Sequence, residues 1–121
     1  MNDERTPRIL ALISDEALLA SVRRVAAASD RELDDSPVPP TRRDWVTAGL
    51  VVVDHVTAPA VDTYPRRRGV VLVCAGDAGL ADWQAATAVG AEHVVALPDE
   101  EVELLAVLGA AAEPDTGGGR I

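Results

Sequence analysis

Three short stretches of this chain carry side chains able to do chemistry, and a fourth ends an apolar run without one. Ser14, Asp15 and Glu16 stand together, and Asp54 with His55 follows a run of apolar residues. Cys74 closes a second apolar run, and Leu97 with Pro98 closes a third. Asp15, Asp54 and a backbone carbonyl supply the hard oxygen ligands that Mg²⁺ prefers. Cations are restricted here. All eleven basic residues are arginines (Arg5, Arg8, Arg23, Arg24, Arg31, Arg42, Arg43, Arg66, Arg67, Arg68 and Arg120), and the chain has no lysine. Each residue also has a plainer reading. Asp15 caps a helix, and Asp54 ends a strand in solvent. Cys74 is a small buried hydrophobe, His55 is a surface side chain, and Arg66 to Arg68 form a solvated loop.

The elements that would position these groups can be read from periodicity. Residues 8–13 form a short apolar run of strand length, and Ser14 or Asp15 caps a helix over residues 14–28. Leu18, Val22 and Val25 fall at helical spacing there. Residues 31–34 are a charged, short candidate for an edge strand. Pro37, Pro39 and Pro40 then interrupt regular structure, and Thr41 starts a short helix over residues 41–48. Leu50–Val53 is β-branched and wholly apolar, as a strand buried on both faces should be. Pro59 and Pro65 limit any helix between them to a turn or two. Residues 70–73 make another buried strand. Asp77 caps a helix reaching Val89, with Leu80, Trp83 and Thr87 on one stripe, and Gly90 ends it. Residues 93–96 are the fifth strand. The acidic residues Asp99, Glu100 and Glu101 suit the start of a last helix, which runs to about Ala112 with Val102, Leu105 and Leu108 inward. Trp45 and Trp83 are expected in the core, and an exposed tryptophan would mark a protein contact.

Strands and helices alternating at about twenty-residue intervals imply one parallel sheet with helices on both faces, a three-layer α/β fold. Functional groups in such sheets gather at the carboxyl ends of the strands. Composition narrows the function. Twenty acidic residues give a formal charge of −9, which argues against nucleic acid and anionic membrane as partners. One cysteine excludes an internal disulfide, and two histidines are too few for a histidine-rich metal site. No apolar run is long enough to span a bilayer, so the expected location is the cytoplasm.

Four motifs together resemble the receiver domains of response regulators. Ile13 to Glu16 is similar to the acidic turn after the first receiver strand. Leu50 to Asp54 resembles the strand leading into the phospho-accepting aspartate. Val70 to Ala75 is similar to the strand ending in Thr-Ala or Ser-Ala. Residues 90–98, Gly-Ala-Glu-His-Val-Val-Ala-Leu-Pro, resemble Gly-Ala-Asp-Asp-Tyr-Leu-x-Lys-Pro. The resemblance implies a flavodoxin-like (βα)5 fold with strand order 2-1-3-4-5. It also implies an acidic pocket of Asp15 and Glu16, with Asp54 at the phospho-acceptor position. The pocket is degenerate: Ser14 replaces an acid, Cys74 the hydroxyl residue and Leu97 the lysine. Asp54 is therefore expected to be inactive, with weak Mg²⁺ binding by Asp15 and Asp54 the residual cofactor option.

More narrowly, the chain resembles the receiver-like N-terminal domain of CpaE/TadZ-type proteins, including septum-site-determining relatives. Residues 1–7 would be a polar lead-in and residues 8–113 the domain. Residues 114–121 would link to a ParA/MinD-type ATPase. That resemblance implies a non-catalytic module that localises or dimerises such an ATPase in pilus assembly, secretion or septum placement. Its partners would be proteins, a second copy or the attached ATPase. Dimerisation would use the face of the 77–89 helix, the last strand and the last helix. Two alternatives stand beside it. One is an atypical receiver phosphorylated at Asp54. The other is a flavodoxin-like nucleotide binder, which the lack of a glycine-rich first turn disfavours.

Overall fold

The computed structural model describes residues 8–112. The expected lead-in and linker lie outside these residues. Five strands, β1 (Ile9–Leu12), β2 (Leu33–Asp35), β3 (Leu50–Val53), β4 (Val70–Ala75) and β5 (His93–Leu97), form one sheet of order β2-β1-β3-β4-β5. Every pairing is parallel. Four helices join them: α1 (Glu16–Ala28), α2 (Arg42–Thr47), α3 (Leu80–Val89) and α4 (Glu101–Ala112), with a 3₁₀ turn at Ala58–Ala60.

The period-two geometry of strands splits the core into two faces. Ile9, Ala11, Val52, Val71, Val73 and Val95 point to the side covered by α1 and α4. Leu10, Leu12, Val51, Val53, Val70 and Leu72 point to the side covered by α2 and α3. Trp45 anchors the second face. It is 1% exposed, meets Tyr64 edge-on at 5.6 Å and donates its indole N–H to the Pro65 carbonyl at 2.7 Å.

Several boundaries and faces depart from the sequence reading. α1 begins at Glu16, because Asp15 rather than Ser14 caps it, accepting from Ala17 N at 2.9 Å. β2 is shifted to Leu33–Asp35. α3 begins at Leu80 and not after Asp77, and Asp82 Oδ2 accepts from Gly79 N at 2.9 Å at its start. Its expected core stripe faces out: Leu80 is 73% and Trp83 54% exposed, while Asp82, Ala86 and Val89 are buried. On α4, Leu104 and Leu108 face in, whereas Val102 and Leu105 are exposed. Gly90 does end α3, at φ 73°, a left-handed conformation that favours glycine. Arg67 is not a solvated loop residue. Its guanidinium caps the carbonyls of Trp45 and Ala48 and lies over the Trp45 ring.

Candidate functional site

β3 is the central strand, so the residue after it emerges between the ends of β1 and β4. That residue is Asp54, and it is 3% exposed, not solvated. Its Oδ2 accepts from Ser14 N at 2.8 Å and Ser14 Oγ at 2.9 Å. Its Oδ1 accepts from Val56 N at 3.0 Å and Thr57 N at 2.9 Å. Thr57 Oγ1 in turn donates to the Leu12 carbonyl at 2.6 Å. Asp54 thus joins the β1–α1 turn to the turn after β3. Burial pushes its carboxyl upward, but hydrogen bonds from Ser14 and Thr57 outweigh that and hold it below the ordinary range.

Four donors fill the four lone-pair positions a carboxylate offers. Mg²⁺ at this position would have to displace them, and Asp15 Oδ1 is engaged with Ala17 N and Leu18 N. Among the described residues no three histidine, cysteine, aspartate or glutamate side chains group as metal ligands. The expected pairing of Asp15 and Asp54 therefore does not fit a bound Mg²⁺. Nor does Asp54 present a free oxygen to a phosphoryl donor.

Ser14, Asp15, Asp54 and Cys74 do come together, bordering a cavity of about 280 Å³. Glu16 and Leu97 are not among its lining side chains. Glu16 is exposed in the first turn of α1, and Leu97, 2% exposed, packs in the core beneath α4. Leu97 thus contributes no side chain to the cavity. Cys74 is 5% exposed, and its thiol is pushed up to about 11 by burial, then by Asp82, Glu100 and Asp77.

Two participants escaped the sequence reading. Thr57 stands three residues after Asp54, the spacing at which a side chain and a turn cap each other. Asp82 stands three residues after Gly79, a reach-back cap spacing. It also borders the cavity, with Oδ1 3.3 Å from His55 Nδ1. His55 is the surface residue expected, half exposed.

Fold and site together define a receiver-shaped domain whose central carboxylate, Asp54, is saturated by hydrogen bonds from its own chain. The chain belongs to the family of Rv3660c-like, CheY-like N-terminal domains, whose model matches residues 12–119. It is 36% identical over 106 residues to the protein Rv3660c of Mycobacterium tuberculosis H37Rv. The same match is found to MT3760 of strain CDC 1551. The match covers 84% of this chain but only 30% of those relatives. A response-regulator structure from Chloroflexus aurantiacus superposes with TM-score 0.62 at 13% identity, covering 88% of this chain and 98% of the other. A pilus assembly protein CpaE structure from Burkholderia thailandensis superposes with TM-score 0.58 at 19% identity, covering 88% and 98%. These likenesses establish the CheY-like fold. No helix among the described residues is long and apolar enough to cross a membrane.

Proposed function

We propose that this domain is a non-catalytic, receiver-like interaction module acting in the cytoplasm, and that it directs the placement or pairing of an attached P-loop ATPase. The observation that carries the reading is the state of Asp54: 3% exposed, with both oxygens occupied by four donors. A phospho-acceptor needs a free oxygen and cationic stabilisation of the transferring group. Asp54 offers no free oxygen, and with Leu97 in the core and no lysine in the chain the usual cation is missing too. Exposed apolar side chains on α3 and α4 support a role in protein contact. The partner is inferred from two facts: the family's matched region is a minor part of its longer members, and CpaE shares the fold.

Incubation with Mg²⁺ and acetyl phosphate, followed by intact mass, tests the core of this reading. The expected result is an unchanged mass. A stoichiometric phosphoryl adduct that disappears in Asp54→Asn would instead make the domain a switched receiver. For the wider role, the longer relatives with and without this domain should differ in cellular position or self-association, not in ATP turnover per active site.

A further inference from the structure

Part of the charge of this domain is sorted along the sheet axis. All strands run parallel, so their amino ends gather at one edge and their carboxyl ends at the other. Arg8, Arg31 and the Arg66 to Arg68 run lie before β1, β2 and β4. Asp15, Asp54, Asp77 and Asp99 lie after β1, β3, β4 and β5. Asp30, Glu32 and Glu92 are exceptions on the basic edge, and Asp34 and Asp44 stand 2.8 and 3.8 Å from Arg8 there.

On the acidic edge, the 280 Å³ cavity is bordered by Asp15, Asp54 and Asp82, and His55 is its one basic lining residue. Asp82 is 9% exposed, and its Oδ1 is buried and accepts no hydrogen bond. His55 Nδ1 stands 3.3 Å away without completing one. A buried carboxylate oxygen without a donor is costly, so the cavity favours an added N–H group carrying positive charge. A metal ion is a poorer match, because no third ligand groups with the others among the described residues.

The opposite edge presents such groups. Arg67 fixes the loop before β4 through the Trp45 and Ala48 carbonyls. Arg66 and Arg68 on either side reach the surface, and neither forms an ion pair with a described residue. A rigid anchor thus holds the Arg68 side chain outward, while the Arg66 guanidinium lies against Gly90. A preorganised loop of this kind loses little freedom on binding.

We propose that copies of this domain associate head to tail, the Arg66 to Arg68 loop of one copy entering the acidic cavity of the next and setting a guanidinium against Asp82 Oδ1. The proposal rests on the interaction-module reading and names its partner as a second copy. The two surfaces differ, so the contact is heterologous and leaves a free end on each side. The contact is ionic and near the surface, so salt weakens it.

Sedimentation of the full chain over a concentration series reaching about 1 mM tests this. The average mass should rise with concentration and fall again with added salt. Arg68→Glu and Asp82→Asn should each weaken association by about tenfold or more. Asparagine keeps an oxygen for Gly79 N, so α3 remains capped. Mixing the two variants should yield a one-to-one complex that grows no further, since one intact loop then meets one intact cavity. A monomeric mass throughout, or association that neither variant changes, overturns the proposal. Methylguanidinium provides a second readout by nuclear magnetic resonance, which needs no variant. It should shift the His55 and Asp82 signals and dissolve the assembly. Shifts in a chain that stays monomeric would assign the cavity to another protein's arginine and sink the second-copy claim. An Asp54 phosphoryl adduct would defeat the functional reading separately, leaving the sedimentation result to stand by itself.

Discussion

Replacing Asp54 by alanine leaves three backbone N–H groups and the Ser14 hydroxyl facing the space its carboxylate held. Hydrogen bonds to a buried charge are among the stronger ones, and stranded donors add their desolvation. Asp54→Ala should therefore lower unfolding stability by about 2–4 kcal/mol in urea denaturation. The pH dependence has a definite sign. Asp54 is held below the ordinary carboxyl range in the fold. Its contribution is complete above about pH 4 and is lost as pH falls through the folded value. The gap between wild type and Asp54→Ala should accordingly shrink as pH falls below about 4 and stay constant above it. Cys74 makes the opposite case. With its thiol pushed up to about 11 against an ordinary value of 9.0, its thiolate is about a hundredfold scarcer than that of an unperturbed cysteine. Alkylation of the native protein by iodoacetamide at pH 8 should be slower by at least that factor, and urea should restore the ordinary rate.

Helix α3 shows why the direction of an amphipathic helix is decided by neighbours and not by its own sequence. Leu80, Trp83 and Thr87 share a stripe, yet that stripe faces water while Ala86 and Val89 pack on the sheet. Small residues let the helix lie close to strands β4 and β5, and Asp82 reaches back to its start. Trp83→Gln should change stability by no more than about 0.5 kcal/mol. Trp45→Ala, in contrast, should cost about 3–5 kcal/mol, because it empties a site packed by Tyr64 and Arg67. Acrylamide should quench the fluorescence of Trp83 readily and that of Trp45 hardly at all, since the two differ so sharply in exposure.

At the level of the whole domain, one sheet shares its strands between two apolar clusters. Neither face can lose its helices without exposing apolar side chains on strands that also build the other cluster. A domain of roughly this size is then expected to unfold in one step. Far-ultraviolet circular dichroism reports all elements, while Trp45 emission in a Trp83→Gln background reports the α2 face alone. The two transitions should coincide in urea. A separated Trp45 transition would mean that the two layers unfold independently.

The order of elements was legible in the residues themselves, because β-branched runs such as Leu50–Val53 and the punctuation at Thr41 and Gly90 act locally. Four of the six candidate pocket positions, Ser14, Asp15, Asp54 and Cys74, were legible as well, since parallel strands carry them to one edge whatever the details, whereas Glu16 and Leu97 lie elsewhere. The state of that pocket was not. Whether Asp54 meets solvent or four donors depends on Ser14, which is forty residues away in sequence, and on how the turn carrying Thr57 folds back. The same holds for Arg67, drawn onto Trp45, and for the outward stripe of α3. Short-range propensity fixes which element forms, and long-range packing alone fixes which side chain it hides.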